Sequence, residues 1–191
     1  MAAGAPSYPV TFDVEYPERL SRWKLLLKWL LAFPHYFVLL GLAIALLVTS
    51  FIAWWAIFFT AYYPRGLHRF AVDVNRWSAR VGAYAGLLRG EYPPFGFQAE
   101  YPVHLEVEYP PAFAPWRLWW TGLALIPHLV VGLVYYLAYF VTSLIAFFAI
   151  LISGRYPKGL FDFGVGVTRY WTRVNAYNSL LCTGYPPFSL R

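Results

Sequence analysis

The polar positions of this chain are gathered into blocks, and the blocks between them are almost wholly apolar. From Trp29 to Tyr63 the only titrating groups are His35 and tyrosines. From Leu118 to Gly154 they are His128 and tyrosines. Each run exceeds the roughly 20 apolar residues that a helix needs to cross a hydrocarbon core. Ahead of each run the period is two. Val10, Phe12 and Val14 alternate with Thr11, Asp13 and Glu15, and Val103, Leu105 and Val107 alternate with His104, Glu106 and Glu108. Such alternation between Tyr-Pro borders predicts half-buried strands over 8–16 and 101–109. A lone strand cannot satisfy its backbone, so the two are expected to pair outside the bilayer. After Tyr63-Pro64 and Tyr156-Pro157 the period becomes helical. Phe70, Val74, Trp77, Val81, Tyr84 and Leu88 share one face, with Arg69, Asp73, Arg76 and Arg80 on another. The second block sets Phe163, Val167, Tyr170, Val174, Tyr177 and Leu181 against Asp162, Arg169 and Arg173. Both read as amphipathic helices of the interfacial type.

These blocks repeat. Shifted by 93 positions the chain matches itself without a gap, with about 40 identities over roughly 91 pairs. The matches include Pro34-His35 with Pro127-His128, Arg76 and Arg80 with Arg169 and Arg173, and Tyr92-Pro93-Pro94-Phe95 with Tyr185-Pro186-Pro187-Phe188. Shared apolar bias cannot place proline, histidine and arginine in register. The expected units are therefore 8–98 and 101–191. The fold class is an α-helical integral membrane protein by tandem duplication. Each copy has a short N-terminal strand, kinked membrane helices and an amphipathic interfacial helix.

At the repeated Tyr-Pro, Pro-His and Tyr-Pro-Pro-Phe blocks, the chain resembles the bacterial domain-of-unknown-function family 4389. The resemblance covers both halves and implies small membrane proteins without an established activity, so it carries over no catalytic residues. The first copy has His68-Arg69 where the second has Phe161-Asp162. Family members look more like the second form, which points to a modified role at this turn.

The length of each apolar stretch leaves two arrangements. Two short membrane helices form a hairpin, or an interfacial helix precedes one crossing at the Pro-His break. Proline removes a helical hydrogen bond and crowds the previous turn, so a break is expected at Pro34 and Pro127. Basic residues at equivalent places in both copies want one orientation, which favours two helices per copy and a multi-pass protein of the bacterial inner membrane.

Composition agrees with this class. Apolar residues make up 60% and charged residues 13%, against about 45–50% and 25% in soluble domains. The net charge of +6 lacks the basic runs with interleaved polar residues that nucleic acid would ask for, so anionic lipid is the expected counter-charge. Residues 1–18 lack the basic start and apolar stretch of a cleavable signal. A single cysteine, Cys182, excludes an internal disulfide and a cysteine metal cage.

Arg76 with Arg80, and Arg169 with Arg173, stand at i and i+4. That spacing can fork around a phosphate or carboxylate, or simply form a solvated topology-setting face. His35 and His128 suggest a proton relay or metal site by their apolar surroundings. Two histidines make a poor metal site, and a structural role is expected, the imidazole donating to a carbonyl that the proline frees. No nucleophile, acid–base pair or phosphate-cradling loop emerges, so no enzyme activity, cofactor or metal is expected. The reading is a membrane scaffold or accessory module that binds anionic lipid and a protein partner or larger complex. The alternative is a small transporter or channel built from the duplicated unit, with Pro-broken helices lining a path.

Overall fold

The computed structural model describes residues 8–191. In chain order it contains β1 (Val10–Val14), α1 (Arg22–Thr60), α2 (Arg65–Ala85), β2 (Val103–Val107), α3 (Arg117–Ala124), α4 (Ile126–Ser153) and α5 (Lys158–Asn178).

The strands pair as expected, and the ladder is antiparallel, Val10 opposite Val107 and Val14 opposite Val103. Val10, Phe12, Val14, Val103 and Leu105 are buried, and the intervening polar residues point outward. The ladder joins residues from opposite halves of the chain, and each strand packs on the other copy's helix: β1 on α5, β2 on α2.

The long helices carry their contacts on one stripe. In α1, Leu25, Lys28, Ala32 and His35 are buried at the near end and Ala53 and Ile57 at the far end. Leu39, Leu42, Leu46 and Thr49 continue the line between them, half-buried. Every one of these positions returns 93 residues later, from Leu118 through His128 to Ile150. Steps of three and four residues keep one face of a helix in register along its length. The rest of the circumference, from Trp23 and Leu30 to Phe59 in α1 and from Trp119 to Ile152 in α3–α4, is apolar and exposed. The Leu20 amide donates to Gly154 O and the Phe113 amide to Ala61 O. The start of α1 thus meets the end of α4, the end of α1 meets the entry to α3, and the two long elements run antiparallel.

The break expected at the prolines occurs in one copy. α1 runs unbroken through Pro34, whereas α3 ends at Ala124, capped by Leu125, just ahead of Pro127 in the first turn of α4. Two membrane helices per copy are therefore formed by neither: the first has one continuous helix, and the second pairs the eight-residue α3, too short to cross, with α4. The residues upstream account for the difference. Copy one has Lys28 and Trp29 there, and copy two has Thr121 and Gly122, which hold helix less well. Proline at the start of α4 gives up an amide that would lack a helical partner anyway.

The basic faces of α2 and α5 are only partly withheld from water: Arg80 and Arg173 are buried, whereas Arg69 is exposed and the Arg76 side chain is 41% exposed. The two helices lie between the long helices and the ladder, with Val74, Trp77, Val81 and Tyr84 buried on one side and Arg80 on the other.

Candidate functional site

The paired arginines turn inward. Arg76 Nε donates to Leu105 O at 2.9 Å, and its Nη1 meets Asp73 at 3.1 Å. Arg80 is 3% exposed. Its terminal nitrogens donate to Ala99 O at 3.0 Å, Gly96 O at 2.9 Å and Phe97 O at 3.0 Å. Burial first, then the charge of Arg76, pull the Arg80 guanidinium below its ordinary pKa. In copy two Arg169 donates to Phe12 O at 2.7 Å, to Leu190 O at 3.1 Å and to Asp13 at 3.3 Å. Arg173 donates to Arg191 O at 2.6 Å and lies over the Tyr8 ring, its Nε buried without a partner. A guanidinium has five fixed donors. Arg80 uses nearly all of them on main-chain carbonyls and so holds loop 96–99 against α2. These four arginines act as clamps on strands and loops, and the remaining donors of Arg76 and Arg169 face the shallow grooves beside the ladder.

The histidines are enclosed by rings. His35 is fully buried, stacked on Phe95 at 4.0 Å between centroids, and its Nδ1 accepts from Trp77 Nε1 at 3.2 Å. His128 is also fully buried, stacked on Phe188 at 4.1 Å, with Nδ1 2.9 Å from the Tyr170 hydroxyl. Tyr170 in turn donates to His128 O at 3.0 Å. An indole nitrogen only donates, so the His35 proton sits on Nε2. Neither imidazole donates to the turn before its proline as expected. Each instead fastens its long helix to α2 or α5 and to the Tyr-Pro-Pro-Phe segment.

One polar cluster escaped the reading of the sequence. Lys28 is buried, donates to Arg89 O and lies over the Tyr84 ring. Arg89 donates to both Glu91 oxygens, at 2.9 and 2.8 Å, and to Glu15 O at 2.7 Å. The corresponding residues in copy two are Thr121, Cys182 and Gly184, where Cys182 meets the Tyr8 hydroxyl at 3.4 Å. The signal was present as charges that lack a counterpart 93 residues away.

Exposed cations stand at both ends of the long helices, Arg65 and Arg69 beyond the end of α1 among them, but three of them gather in one hollow. Arg19, Arg22 and Arg155 surround a hollow of about 520 Å3 where α1 begins and α4 ends, with Leu20, Ser153 and Gly154 completing its wall. None of the three makes an ion pair among the described residues; the nearest acid in sequence is Glu18. The carboxyl end of α4 contributes roughly half a negative charge, so three guanidiniums leave the hollow positive. At the opposite end the equivalent residues are Ala112, Pro115 and Tyr62.

Among the described residues, no group of three or more His, Cys, Asp or Glu gathers to hold a metal. Two segments, Arg22–Thr60 and Arg117–Ser153, are long and apolar enough to cross a membrane by length and composition, and little of either is buried inside the protein.

No curated protein and no solved structure matches the chain. The family model described as "Domain of unknown function (DUF4389)" matches twice, over residues 22–96 and 115–189, two segments offset by the same 93 positions (115 − 22 and 189 − 96) that relate the internal repeat. The strand lies ahead of the matched segment in each copy. On these matches, which together take in most of its length, the chain belongs to the DUF4389 family and carries two tandem copies of its unit.

Proposed function

We propose that the protein is an integral membrane module without chemistry of its own, which beds its long helices in lipid and holds anionic head groups at its basic end. The observation that carries this reading is the hollow formed by Arg19, Arg22 and Arg155. Three exposed guanidiniums converge there without an acidic partner. They sit beside the exposed apolar side chains of Trp23 and Ile152, the boundary at which a lipid phosphate lies. Guanidinium groups bind phosphate oxygens in pairs. The inward arginines of α2 and α5 supply rigidity, and the end arginines supply recognition.

The protein with Arg19→Gln, Arg22→Gln and Arg155→Gln tests this. Each cation near an acidic surface is worth on the order of 1 kcal/mol. Phosphatidylglycerol or cardiolipin retained through purification in mild detergent, counted per protein at fixed salt, should fall about tenfold, while thermal stability stays near that of the parent. Retention equal to the parent's would leave these arginines as topology signals only.

A further inference from the structure

The ladder fixes how the long helices can meet a membrane. Its central carbonyls, Phe12 O and Leu105 O, are held by Arg169 and Arg76, each near the middle of a 21-residue helix. Its two ends are tied to opposite ends of the long helices. Tyr16 at one end donates to Tyr156 O, just beyond α4, and Leu20 beside it donates to Gly154 O. Tyr109 at the other end donates to Tyr63 O, just beyond α1, and Phe113 donates to Ala61 O. A ladder of five residue pairs is about 14 Å long, and α1 at 39 residues follows a path of about 57 Å. The ladder therefore lies alongside the long helices between their ends.

Suppose now that these helices crossed a bilayer. Their ends would stand at opposite faces, and the ladder would hang at hydrocarbon depth. Its outward residues forbid that. The side chains of Asp13, Glu15 and His104 are 74%, 64% and 64% exposed, and Glu106 and Glu108 point outward as well. Ionisable groups at mid-membrane depth face the protein interior or water. The acidic side chains here face neither the core nor the long helices.

We infer that α1 and α3–α4 lie in the membrane without crossing it, embedded from one face as an antiparallel pair whose exposed apolar surface is filled by the acyl chains of the near leaflet. The ladder, α2 and α5 stand above them on the aqueous side. Both ends of both long helices then reach the same head-group layer, which is where Trp23, Trp116, Trp119 and Trp120 stand exposed and where amphipathic rings settle. This deepens the lipid-embedding part of the reading above and is independent of its arginine site.

The test uses the full chain in a Cys182→Ser background, with single cysteines at Glu18 and Lys158, at one end, and at Tyr62 and Ala112, at the other; all four positions are exposed. Sealed membrane vesicles of known orientation are treated with an impermeant maleimide, and total cysteine is counted after detergent. All four sites should label from the same side. Labelling of Glu18 and Lys158 from one side with Tyr62 and Ala112 from the other means the helices cross and overturns the inference, as does a pair that labels only after detergent. Nitroxides at Leu40 and Leu133, 61% and 57% exposed at mid-helix, should collide with oxygen far more than with a polar relaxant. Protection from both would put a protein partner or second copy on that face and also overturn it. One-sided labelling together with unchanged lipid retention in the arginine variant would sink the phosphate site alone.

Discussion

The two histidine cages share geometry and differ in their polar partner. Each imidazole stacks on the phenylalanine of a Tyr-Pro-Pro-Phe segment and reaches the same position of the following helix. The partner is the indole of Trp77 in one copy and the hydroxyl of Tyr170 in the other. What the repeat preserves is a buried aromatic stack between two fixed backbones. The hydrogen bond is adjusted locally to whichever donor stands there. The same contrast separates Lys28, Arg89 and Glu91 from Thr121, Cys182 and Gly184: shape is kept while polarity drifts.

The largest expected effect breaks the symmetry of the clamps. Arg80 holds three loop carbonyls, and Arg173 holds one with its Nε unmatched. Buried acceptors left without donors cost about 1–3 kcal/mol each, so Arg80→Ala should lose roughly 3 kcal/mol or more and Arg173→Ala about half of that, by denaturant unfolding in detergent. Arg80→Lys should recover little, because one ammonium cannot span the fork. Equal losses at the two positions would show that carbonyl number does not set the cost.

A smaller effect depends on pH. His68, where copy two has Phe161, is buried with Nε2 3.2 Å from Leu181 O. Burial, only partly opposed by that hydrogen bond, lowers its pKa. The unfolded chain therefore takes up the proton at a higher pH than the folded one, and stability falls as pH drops through the ordinary imidazole range near 6.5, by at most about 1.4 kcal/mol per pH unit. His68→Phe should flatten part of the decline in melting temperature between pH 7.5 and 5. An unchanged slope would mean that this group does not couple folding to protons.

The smallest effect concerns the helix ends. Ala61 closes α1 at φ 62°, and Gly154 closes α4 at φ 72°. A left-handed alanine costs roughly 1 kcal/mol that glycine escapes. Ala61→Gly should raise stability by about that amount and Gly154→Ala should lower it similarly. A loss from Ala61→Gly would assign the residue a packing role that outweighs its backbone.

The strands, the contact stripes and the repeat were legible because each rests on periodicity, which side chains alone encode. The orientation of Arg80 was not, since its acceptors are main-chain carbonyls of residues 96, 97 and 99, and every residue offers one. The continuity of α1 was hidden because proline marks a weakened hydrogen bond, and whether the helix survives depends on its neighbours, Trp29 in one copy and Gly122 in the other. Arg155 reads from sequence as a flank of the apolar run; only antiparallel packing brings it beside Arg19 and Arg22. The exchange of strands was beyond reach, because the two related copies offer β1 two similarly patterned helices to lie on.

That exchange has a consequence for ancestry and assembly. Each half gives its strand to the other's helix, and Tyr16 and Tyr109 bind carbonyls of the opposite half. Apart from the link between residues 98 and 101 and the divergence of the two sequences, this is the arrangement of a strand-swapped homodimer with a twofold axis through the Phe12–Leu105 pair. A protein with one such unit could form the same ladder by associating with a second copy through an isologous interface. Within one chain that pairing is intramolecular and independent of concentration, and the two halves differ freely: one end holds Arg19, Arg22 and Arg155 where the other has Ala112, Pro115 and Tyr62.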